Sequence, residues 1–198
     1  MRKLIEGTLV TLNGVVTNQG KWSAGYFDAE AKAESIEALK ECDLLMLGRV
    51  TYEQFAPRWS QILDDPYFAA VNAMRKVVLS NTLATATWNA EVLRGDAAEQ
   101  VRALKQQPGK AILKYGVTAL DRALIANQLI DEFRFWIYPV VAEGTQLFEG
   151  IDTSHMQLEL ISTQRYASGV VRVNYRPRWL SSERPKLNLA SRVKTNRT

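Results

Sequence analysis

The chain has 198 residues, of which 46% are apolar and 23% charged, enough for one well-buried globular domain. No apolar run approaches the roughly 18 residues of a membrane span and no charged-then-apolar leader opens the chain, so we expect a soluble, cytoplasmic protein. The net charge of +4 arises in residues 181–198, so the remaining residues are balanced and show no basic excess that would indicate a nucleic-acid partner.

Strands and helices alternate among the predicted elements of the first two thirds of the chain. A loosely alternating, β-branched segment at 3–12 predicts the first strand. Asp28 is placed to cap a helix whose apolar residues recur at helical spacing from Ala29 to Leu39. Buried strands are predicted for LLML at 44–47, KVVLS at 76–80 and AILK at 111–114, an edge strand for 91–93, and helices from about Val50, after Asp96, and from Thr118 to Leu129.

The last third of the chain has a different pattern. Residues 133–141, 157–163 and 170–175 favour strands with no helix between them, so they should pair antiparallel. The sequence therefore predicts an α/β protein with a mixed, mostly parallel sheet that is flanked by helices and has antiparallel strands at its carboxyl-terminal end. We assign residues 1–178 to this domain and residues 179–198 to a basic carboxyl-terminal extension.

Three predicted parallel strands end in small or hydroxyl residues. LLML runs into GRVT at 48–51, VVL into SNT at 80–82, and AIL into KYGVT at 114–118. Ligands of open α/β sheets bind outside the carboxyl ends of the strands, and helix-start amides, glycine and arginine favour phosphate there. The pattern indicates a ligand with several phosphates, such as a dinucleotide, although neither GxGxxG nor GxxxxGK[ST] is present.

The single cysteine and the single histidine do not indicate metal or redox chemistry. Cys42 lies between Glu41 and Asp43, which oppose thiolate formation, and it has no second cysteine for an intramolecular disulfide. His155 alone cannot form a histidine cluster. We therefore expect Cys42 to be structural, His155 to lie in a loop, and no metal ion to be bound.

Several stretches, taken in order, resemble the dihydrofolate-reductase-like family. The resemblance is greatest to the branch with the reductase domain of the bifunctional riboflavin-biosynthesis deaminase/reductase and its stand-alone relatives. It implies a three-layer fold, NADPH bound along the strand ends, and hydride transfer to a pterin, a pyrimidine or another electron-poor small molecule. The stretches span residues 2–177 and are TLNGVV, YFDAEA, LLMLGRVTYEQFA, KVVLSNTL, the glycine turn before TALDRALI, LIDEFRFWIYPVVAEGTQLF and SGVVRVNY.

The resemblance also implies roles for individual residues. Those expected to bind the cofactor are Gly48, Arg49 and Thr51 at its phosphates, Ser80 near the 2′-phosphate, Gly116, Val117 and Thr118 at the pyrophosphate, and the neighbouring Asn81, Thr82 and Tyr115. Those expected to bind the substrate are Trp22, Tyr26, Phe27, Tyr52, Tyr138 and Pro139. Core packing is the alternative explanation for each of these aromatic residues.

Asn13 and Asp28 are the candidate catalytic residues. Many relatives have Asp-Gly where this chain has Asn13-Gly14. An amide can orient a ring but cannot exchange a proton as a carboxyl group does, so an acid step would need Asp28 or water.

Two further departures from the family pattern affect the cofactor site. Tyr115 replaces a residue that is often glycine, so we expect it to hinder close approach of the pyrophosphate. Asn81 stands where relatives often have arginine, which makes NADH an alternative to NADPH. Lys114 or Arg94 could supply the missing positive charge.

The segment FRFWIYPVV suggests how the protein assembles. Arg134, Trp136 and Tyr138 alternate with apolar residues, so the face opposite the helices would show aromatic surface. A homodimer would cover that surface, and relatives are often dimeric. The alternatives to a reductase are a binding or regulatory protein that kept the fold without turnover, and a nucleic-acid binder that uses the basic extension.

Overall fold

Eight strands and six α-helices are present in residues 1–180, the part of the chain that the computed structural model describes. The strands are β1 (Leu4–Thr11), β2 (Cys42–Gly48), β3 (Arg75–Leu79), β4 (Ala90–Leu93), β5 (Ala111–Tyr115), β6 (Glu132–Tyr138), β7 (Met156–Arg165) and β8 (Val171–Trp179). The helices are α1 (Gln19–Trp22), α2 (Ala29–Leu39), α3 (Arg49–Trp59), α4 (Pro66–Ala73), α5 (Ala97–Gln106) and α6 (Ala119–Ala126). The basic extension lies, from residue 181 onward, outside the described residues.

All eight strands belong to one sheet in the order β4-β3-β2-β5-β1-β6-β8-β7. The pairs from β4 across to β6 are parallel, and β8 pairs antiparallel with both β6 and β7. The predicted mixed sheet with antiparallel strands at the carboxyl-terminal end is therefore confirmed. β4 forms one edge, as the sequence predicted, and β7 forms the other.

Helices cover both faces of this sheet and enclose two main cores. On one face, apolar residues of α5 and α6 pack with Leu4, Met46 and Ile112 of the sheet. On the other face, residues of α2, α3 and α4 pack with Leu45 and Leu113. Neighbouring residues of one strand thus enter different cores, which explains why the strand sequences are continuously apolar. The predicted three-layer fold is confirmed.

Three short helical segments were missed by the sequence analysis. The α4 helix begins after Asp65, whose carboxylate accepts hydrogen bonds from the Tyr67 and Phe68 amides, with Pro66 in the first helical position. This Asp-Pro pair is a recognised helix start. The α1 helix and the 3₁₀ turn at Ala24–Tyr26 lie in the segment predicted as a loop.

The reason given for a homodimer from the sequence is wrong, because both faces of β6 are covered within the chain. Phe133 and Phe135 enter the core beneath α5 and α6. Tyr138 is 4% exposed, and Trp136 packs near it in a third cluster formed with α1 and the 3₁₀ turn. No aromatic face of β6 is therefore left for a second chain among the described residues.

The buried environment of Cys42 supports its structural interpretation. The side chain packs between the sheet and α2, and burial raises the pKa of its thiol to about 11. Within residues 1–180, no cluster of three or more metal-ligating side chains is present, and no helix is long and apolar enough to cross a bilayer.

Candidate active site

The connections that follow β2 and β5 leave the sheet on opposite sides. β2 and β5 are adjacent and parallel, but α3 packs in the layer with α2 and α4, whereas α6 packs in the layer with α5. Such a reversal opens a crevice at the carboxyl ends of the two strands, where open α/β sheets bind ligands. Both turns border this β2/β5 crevice, since a Cβ atom built on Gly48 would lie 3.9 Å from Leu120 Cβ.

The α3 helix begins at the β2/β5 crevice without a side-chain cap. Aspartate side chains cap α2, α4 and α5, whereas within the described residues no side chain caps α3 at Gly48. The first amides of a helix have no acceptor inside the helix, so those of α3 remain for water or an anion. Gly48 is therefore the N-cap of a helix start that no side chain caps, and its phosphate-binding role stays a prediction.

Arg49 adds an accessible positive charge at the same place. Its side chain is 46% exposed and forms an ion pair, at 3.1 Å, with Glu53 one turn further along α3. An exposed pair of this kind contributes little to stability, so the guanidinium can turn to a ligand at small cost. Thr51, on the same helical turn, is buried and lies within the protein.

The Gly116 turn forms the other side of the crevice. Gly116 has a φ of +78°, which favours glycine, and a Cβ atom built on it would meet Thr118 Cγ2 at 3.9 Å. The turn is tightly held, because its three amides donate to Gly7 O (Gly116, 2.9 Å), Thr8 Oγ1 (Val117, 3.1 Å) and Asp121 Oδ2 (Thr118, 2.7 Å).

Tyr115 does not obstruct this turn with its ring as the sequence analysis expected. The ring packs in the core beneath α3 and α4, with its centroid 6.1 Å from that of Trp59. Its hydroxyl is 2.8 Å from the Tyr67 hydroxyl, and burial raises the pKa of the Tyr115 phenol well above its ordinary value. Only the backbone of Tyr115 therefore borders the Gly116 turn.

The loop after β3 is ordered by its own polar side chains. Ser80 Oγ accepts hydrogen bonds from the amides of Thr82 (3.2 Å) and Leu83 (2.9 Å). Asn81 is bound to Gly95 through both ends of its amide, at 2.6 and 3.3 Å. Since β3 lies beside β2, this loop continues the line of strand ends that starts at the β2/β5 crevice.

Of the two cations considered as replacements for a missing arginine, only Arg94 lies at this loop. Its guanidinium donates to the carbonyl groups of Asn81, Leu83 and Ala84 at 2.8–3.3 Å and is exposed. Lys114 is 1% exposed, and its ammonium group is bound to two buried carboxylates. Lys114 is therefore wrong as the candidate for a 2′-phosphate contact.

Three of the predicted substrate-binding aromatic residues come together in one cluster. The Tyr138 ring makes edge-on contacts with Trp22 at 5.1 Å and with Tyr26 at 5.5 Å between ring centroids. Trp136 and Tyr166 complete this aromatic cluster beside the end of β1. Burial raises the pKa of the Tyr138 phenol to about 12, so its hydroxyl stays protonated near neutral pH and cannot serve as a base.

The other predicted substrate-binding residues lie at different places. Phe27 packs on Tyr67, with ring centroids 5.2 Å apart, beneath α4. Tyr52 is buried under α3, and its hydroxyl accepts a hydrogen bond of 2.8 Å from the Thr87 amide. Pro139 is exposed directly after Tyr138. The substrate roles of these three residues stay predictions.

Asn13 and Asp28 both form bonds that shape the backbone. Asn13 Oδ1 accepts from Thr11 Oγ1 (2.7 Å) and the Ala142 amide (3.2 Å), and Asn13 Nδ2 donates to Ala142 O (2.9 Å). Asp28 Oδ1 accepts from the Ala31 amide at 2.9 Å and caps α2. Both side chains belong to exposed residues, so these bonds do not exclude contact with a ligand. Their catalytic roles stay predictions.

The structure also identifies residues that the sequence analysis did not select. Trp136 is on the same face of β6 as Tyr138, and the alternation in FRFWIY was sufficient to indicate this. Tyr166 is 2% exposed and comes from the hairpin between β7 and β8, which is remote in sequence from the other members of the cluster. No local signal marks Tyr166, because only the tertiary fold brings that hairpin to β6.

The sequence matches a known protein family. The family model of the RibD C-terminal domain matches residues 2–172. The chain belongs to the RibD C-terminal domain family. The resemblance noted in the sequence is therefore confirmed, and the match covers β1 to β6, β7 and the start of β8.

Relatives of this RibD C-terminal domain protein match along nearly their whole length. YyaP of Bacillus subtilis (strain 168) is 28% identical over 183 residues, which are 88% of this chain and 94% of YyaP. A putative riboflavin biosynthesis protein from Shewanella sp. PV-4 has a TM-score of 0.68 at 18% identity, covering 89% of this chain and 99% of that one. Dihydrofolate reductase from Enterococcus faecalis, solved with NADP(H), has a TM-score of 0.61 at 17% identity, covering 88% and 96%. These two structures show the shared fold.

Proposed function

We propose that this protein is an NADPH-dependent reductase that transfers a hydride to a small pterin, pyrimidine or other electron-poor substrate. The single observation that carries the proposal is the uncapped start of α3, with exposed Arg49, at the crevice where the chain connections reverse. Family membership supports the same reaction class. A cytoplasmic location is part of the proposal, because the free, buried Cys42 suits a reducing compartment.

The residues around the β2/β5 crevice fit a pyridine dinucleotide. Free helix-start amides and a guanidinium can meet its phosphates, and the missing Cβ atom of Gly116 leaves the backbone open to close approach. The loop at Ser80 lies further along the strand ends, in the direction that an adenosine 2′-phosphate would occupy. On the other side, Trp22 and Tyr26 of the aromatic cluster are partly exposed and could offer ring surfaces to a nicotinamide and a flat substrate, with the buried Tyr138 packed against them.

NADPH would supply the hydride when it is bound, and the chain would bind, orient and shield the reacting groups. Gly48 and Arg49 would hold the phosphates, and Gly116, which has no Cβ atom, would let them lie close to the backbone. Trp22 and Tyr26 would confine the rings, and Tyr138 would support both of them from below. Arg94 would favour NADPH over NADH, since its guanidinium lies at the loop of Ser80 and Asn81.

The test measures binding before turnover. NADPH, NADP⁺ and NADH would be titrated by calorimetry, and NADPH oxidation would then be followed by absorbance with pterins, pyrimidines and quinone-like compounds. We expect binding of NADPH to be tighter than that of NADH, and slow oxidation with at least one substrate class. If the wild-type protein binds neither NADPH nor NADP⁺, the proposal is contradicted.

A pH profile addresses the role of Asn13. An amide does not titrate, so the kcat of the wild-type protein should not change steeply over the pH range in which carboxyl groups titrate. Asn13→Asp should add such a steep change, at the cost of the bond that Asn13 Nδ2 donates to Ala142 O. The measurement is kcat against pH for both proteins with NADPH saturating. A steep change in the wild-type kcat that disappears in Asp28→Asn would instead assign the acid step to Asp28.

The second candidate is a binding or regulatory protein without turnover. The observation that favours it is that both ends of the Asn13 amide, and one oxygen of the Asp28 carboxylate, are engaged in bonds to the backbone. Tight NADPH binding by wild-type protein, without oxidation by any substrate of the panel, would support this candidate and contradict the reductase.

A homodimer is also part of the proposal, with β7 as its interface. In the sheet of the described residues, β7 is an edge strand of ten residues that pairs with β8 alone. Leu158, Leu160 and Ile161 on this strand are 36%, 53% and 45% exposed. A long edge strand with exposed apolar side chains invites pairing with another strand.

We expect wild-type protein to be a dimer at micromolar concentration in light scattering and Leu160→Glu to be a monomer. A buried charge at the interface would oppose association, whereas Leu63→Glu, at a leucine that is 73% exposed outside β7, should leave the dimer intact. A monomeric wild-type protein would contradict the assembly, and dissociation by both variants would contradict its location.

A further inference from the structure

Three charged side chains are enclosed together beneath the Gly116 turn. Glu6 of β1, Lys114 of β5 and Asp121 of α6 are 0%, 1% and 0% exposed. Lys114 Nζ donates to Glu6 Oε2 at 2.8 Å, to Asp121 Oδ2 at 2.7 Å and to Gly116 O at 2.5 Å. One ammonium group therefore joins two strands, the turn and the helix that follows it.

Thr8 and Asp121 extend this network to the next two residues of the turn. Thr8 Oγ1 donates to Glu6 Oε1 at 3.0 Å and accepts from the Val117 amide at 3.1 Å. Asp121 Oδ2 accepts from the Thr118 amide at 2.7 Å. Each residue of the turn, from 116 to 118, is thus held by a buried side chain rather than by water.

A purely stabilising role does not account for this arrangement. Removing three charges from water is costly, and apolar side chains of similar size often give a more stable core. The network fixes backbone positions that a flexible glycine turn would otherwise leave variable. The network therefore serves to fix the backbone geometry at the border of the β2/β5 crevice.

We propose that Glu6, Lys114, Asp121 and Thr8 are positioning residues that hold the Gly116 turn in the form that accepts the cofactor's pyrophosphate. This inference rests on the proposed function. The network pairs two carboxylates with one ammonium, so it offers no surplus positive charge to phosphate. It acts through geometry, while Arg49 and the start of α3 act through charge.

The test compares Thr8→Val with Thr8→Ser. Valine removes the acceptor of the Val117 amide at nearly constant volume, whereas serine keeps it. We expect the Kd for NADPH to rise about three- to tenfold in Thr8→Val and to return close to the wild-type value in Thr8→Ser. Because the effect is geometric, the ratio of variant to wild-type Kd should be the same at low and high salt.

Lys105→Met is the control for the loss of a buried polar contact that does not involve the Gly116 turn. Lys105 is 3% exposed and donates to Leu129 O at 2.8 Å, and its ammonium is paired with Asp131 close to the amino end of β1. This variant should lower the melting temperature and leave the NADPH Kd unchanged. A Thr8→Val protein that loses melting temperature but binds NADPH as wild type does would overturn the positioning role.

A measurement on wild-type protein stands independently of whether any variant folds. Hydrogen exchange should show the amides of residues 116–118 to be strongly protected before any ligand is added, since each has a buried acceptor. Exchange at the rate of an open loop would overturn the inference. Wild-type protein that binds NADPH, combined with an unaffected Thr8→Val, would refute this inference alone, whereas absence of NADPH binding would refute the proposed function as well.

Discussion

Lys114→Met is expected to lower the free energy of unfolding by about 3–5 kcal/mol, because it leaves two buried carboxylates without their shared counter-charge. Glu6 and Asp121 are both fully buried, and Lys114 Nζ is within 2.8 Å of each. Methionine fills nearly the same volume, so the loss would come from charge and hydrogen bonding rather than from a cavity. Urea unfolding followed by circular dichroism measures the difference.

The pH dependence of this loss distinguishes buried charge from simple mispacking. Burial and the neighbouring Asp121 raise the pKa of Glu6 well above its ordinary value of 4.5, even with Lys114 present. A carboxyl whose folded pKa is raised contributes stability below its unfolded pKa, and that contribution is lost as the pH rises through the folded pKa. Without Lys114 the pKa rises further, so the variant should be less impaired at pH 5 than at pH 8.

The same control variant applies to stability. Lys105→Met removes a buried ammonium whose partner, Asp131, has a side chain that is 35% exposed and can be hydrated. We expect its loss to be smaller than that of Lys114→Met and to differ little between pH 5 and pH 8. Equal losses for Lys114→Met at the two pH values would contradict the buried-charge explanation.

Arg49→Ala is expected to weaken NADPH binding by about 1.5–3 kcal/mol, or about 10- to 150-fold, through loss of a charge-assisted contact. The melting temperature should hardly change, because the guanidinium is exposed and pairs only with Glu53 among the described residues. Calorimetry gives the Kd, and a thermal melt of the same sample gives the stability. A fall in melting temperature that matches the loss of affinity would make Arg49 a structural residue.

Two further measurements support this test, namely the salt dependence of binding and a control variant at a second exposed arginine. Binding by Arg49 is electrostatic, so raising the salt concentration should weaken wild-type binding more than it weakens binding by Arg49→Ala. Arg75→Ala is the control, since Arg75 forms a similarly exposed pair with Glu91, at 3.0 Å, at the amino end of β3. This control should bind NADPH with the wild-type Kd, and a comparable loss would indicate a general effect of surface charge.

The sequence was informative wherever a local pattern determined the structure. Short apolar runs gave the parallel strands, and Asp28 and Asp96 marked the starts of α2 and α5 through their capping carboxylates. The strand ends at Gly48 and Gly116 were found because parallel strands place their carboxyl ends at one edge of a sheet. α4 was missed although Asp65-Pro66 marks its start, so that failure was one of interpretation.

Features that depend on long-range contacts could not be predicted. Lys114 appears in sequence as a basic residue at the end of a strand, and nothing local shows that Glu6, 108 residues away, neutralises it. Tyr115 was expected to hinder the pyrophosphate, but its hydroxyl meets Tyr67 of α4. The covering of Trp136 and Tyr138 likewise depends on the hairpin that carries Tyr166. In each case the decisive partner is set by tertiary packing and not by spacing along the chain.

The position of β1 in the sheet has a consequence for how the chain folds as it is synthesised. β1 is made before the other strands of this sheet, yet Ile5 pairs with Leu113 of β5 and with Glu132 of β6, which are made more than a hundred residues later. Until those strands emerge from the ribosome, this apolar segment has two open edges and is exposed to wrong pairing. Closing such long loops is slow, so the sheet should form in milliseconds to seconds rather than microseconds. The first strand of this sheet to be synthesised is thus among the last to find its neighbours.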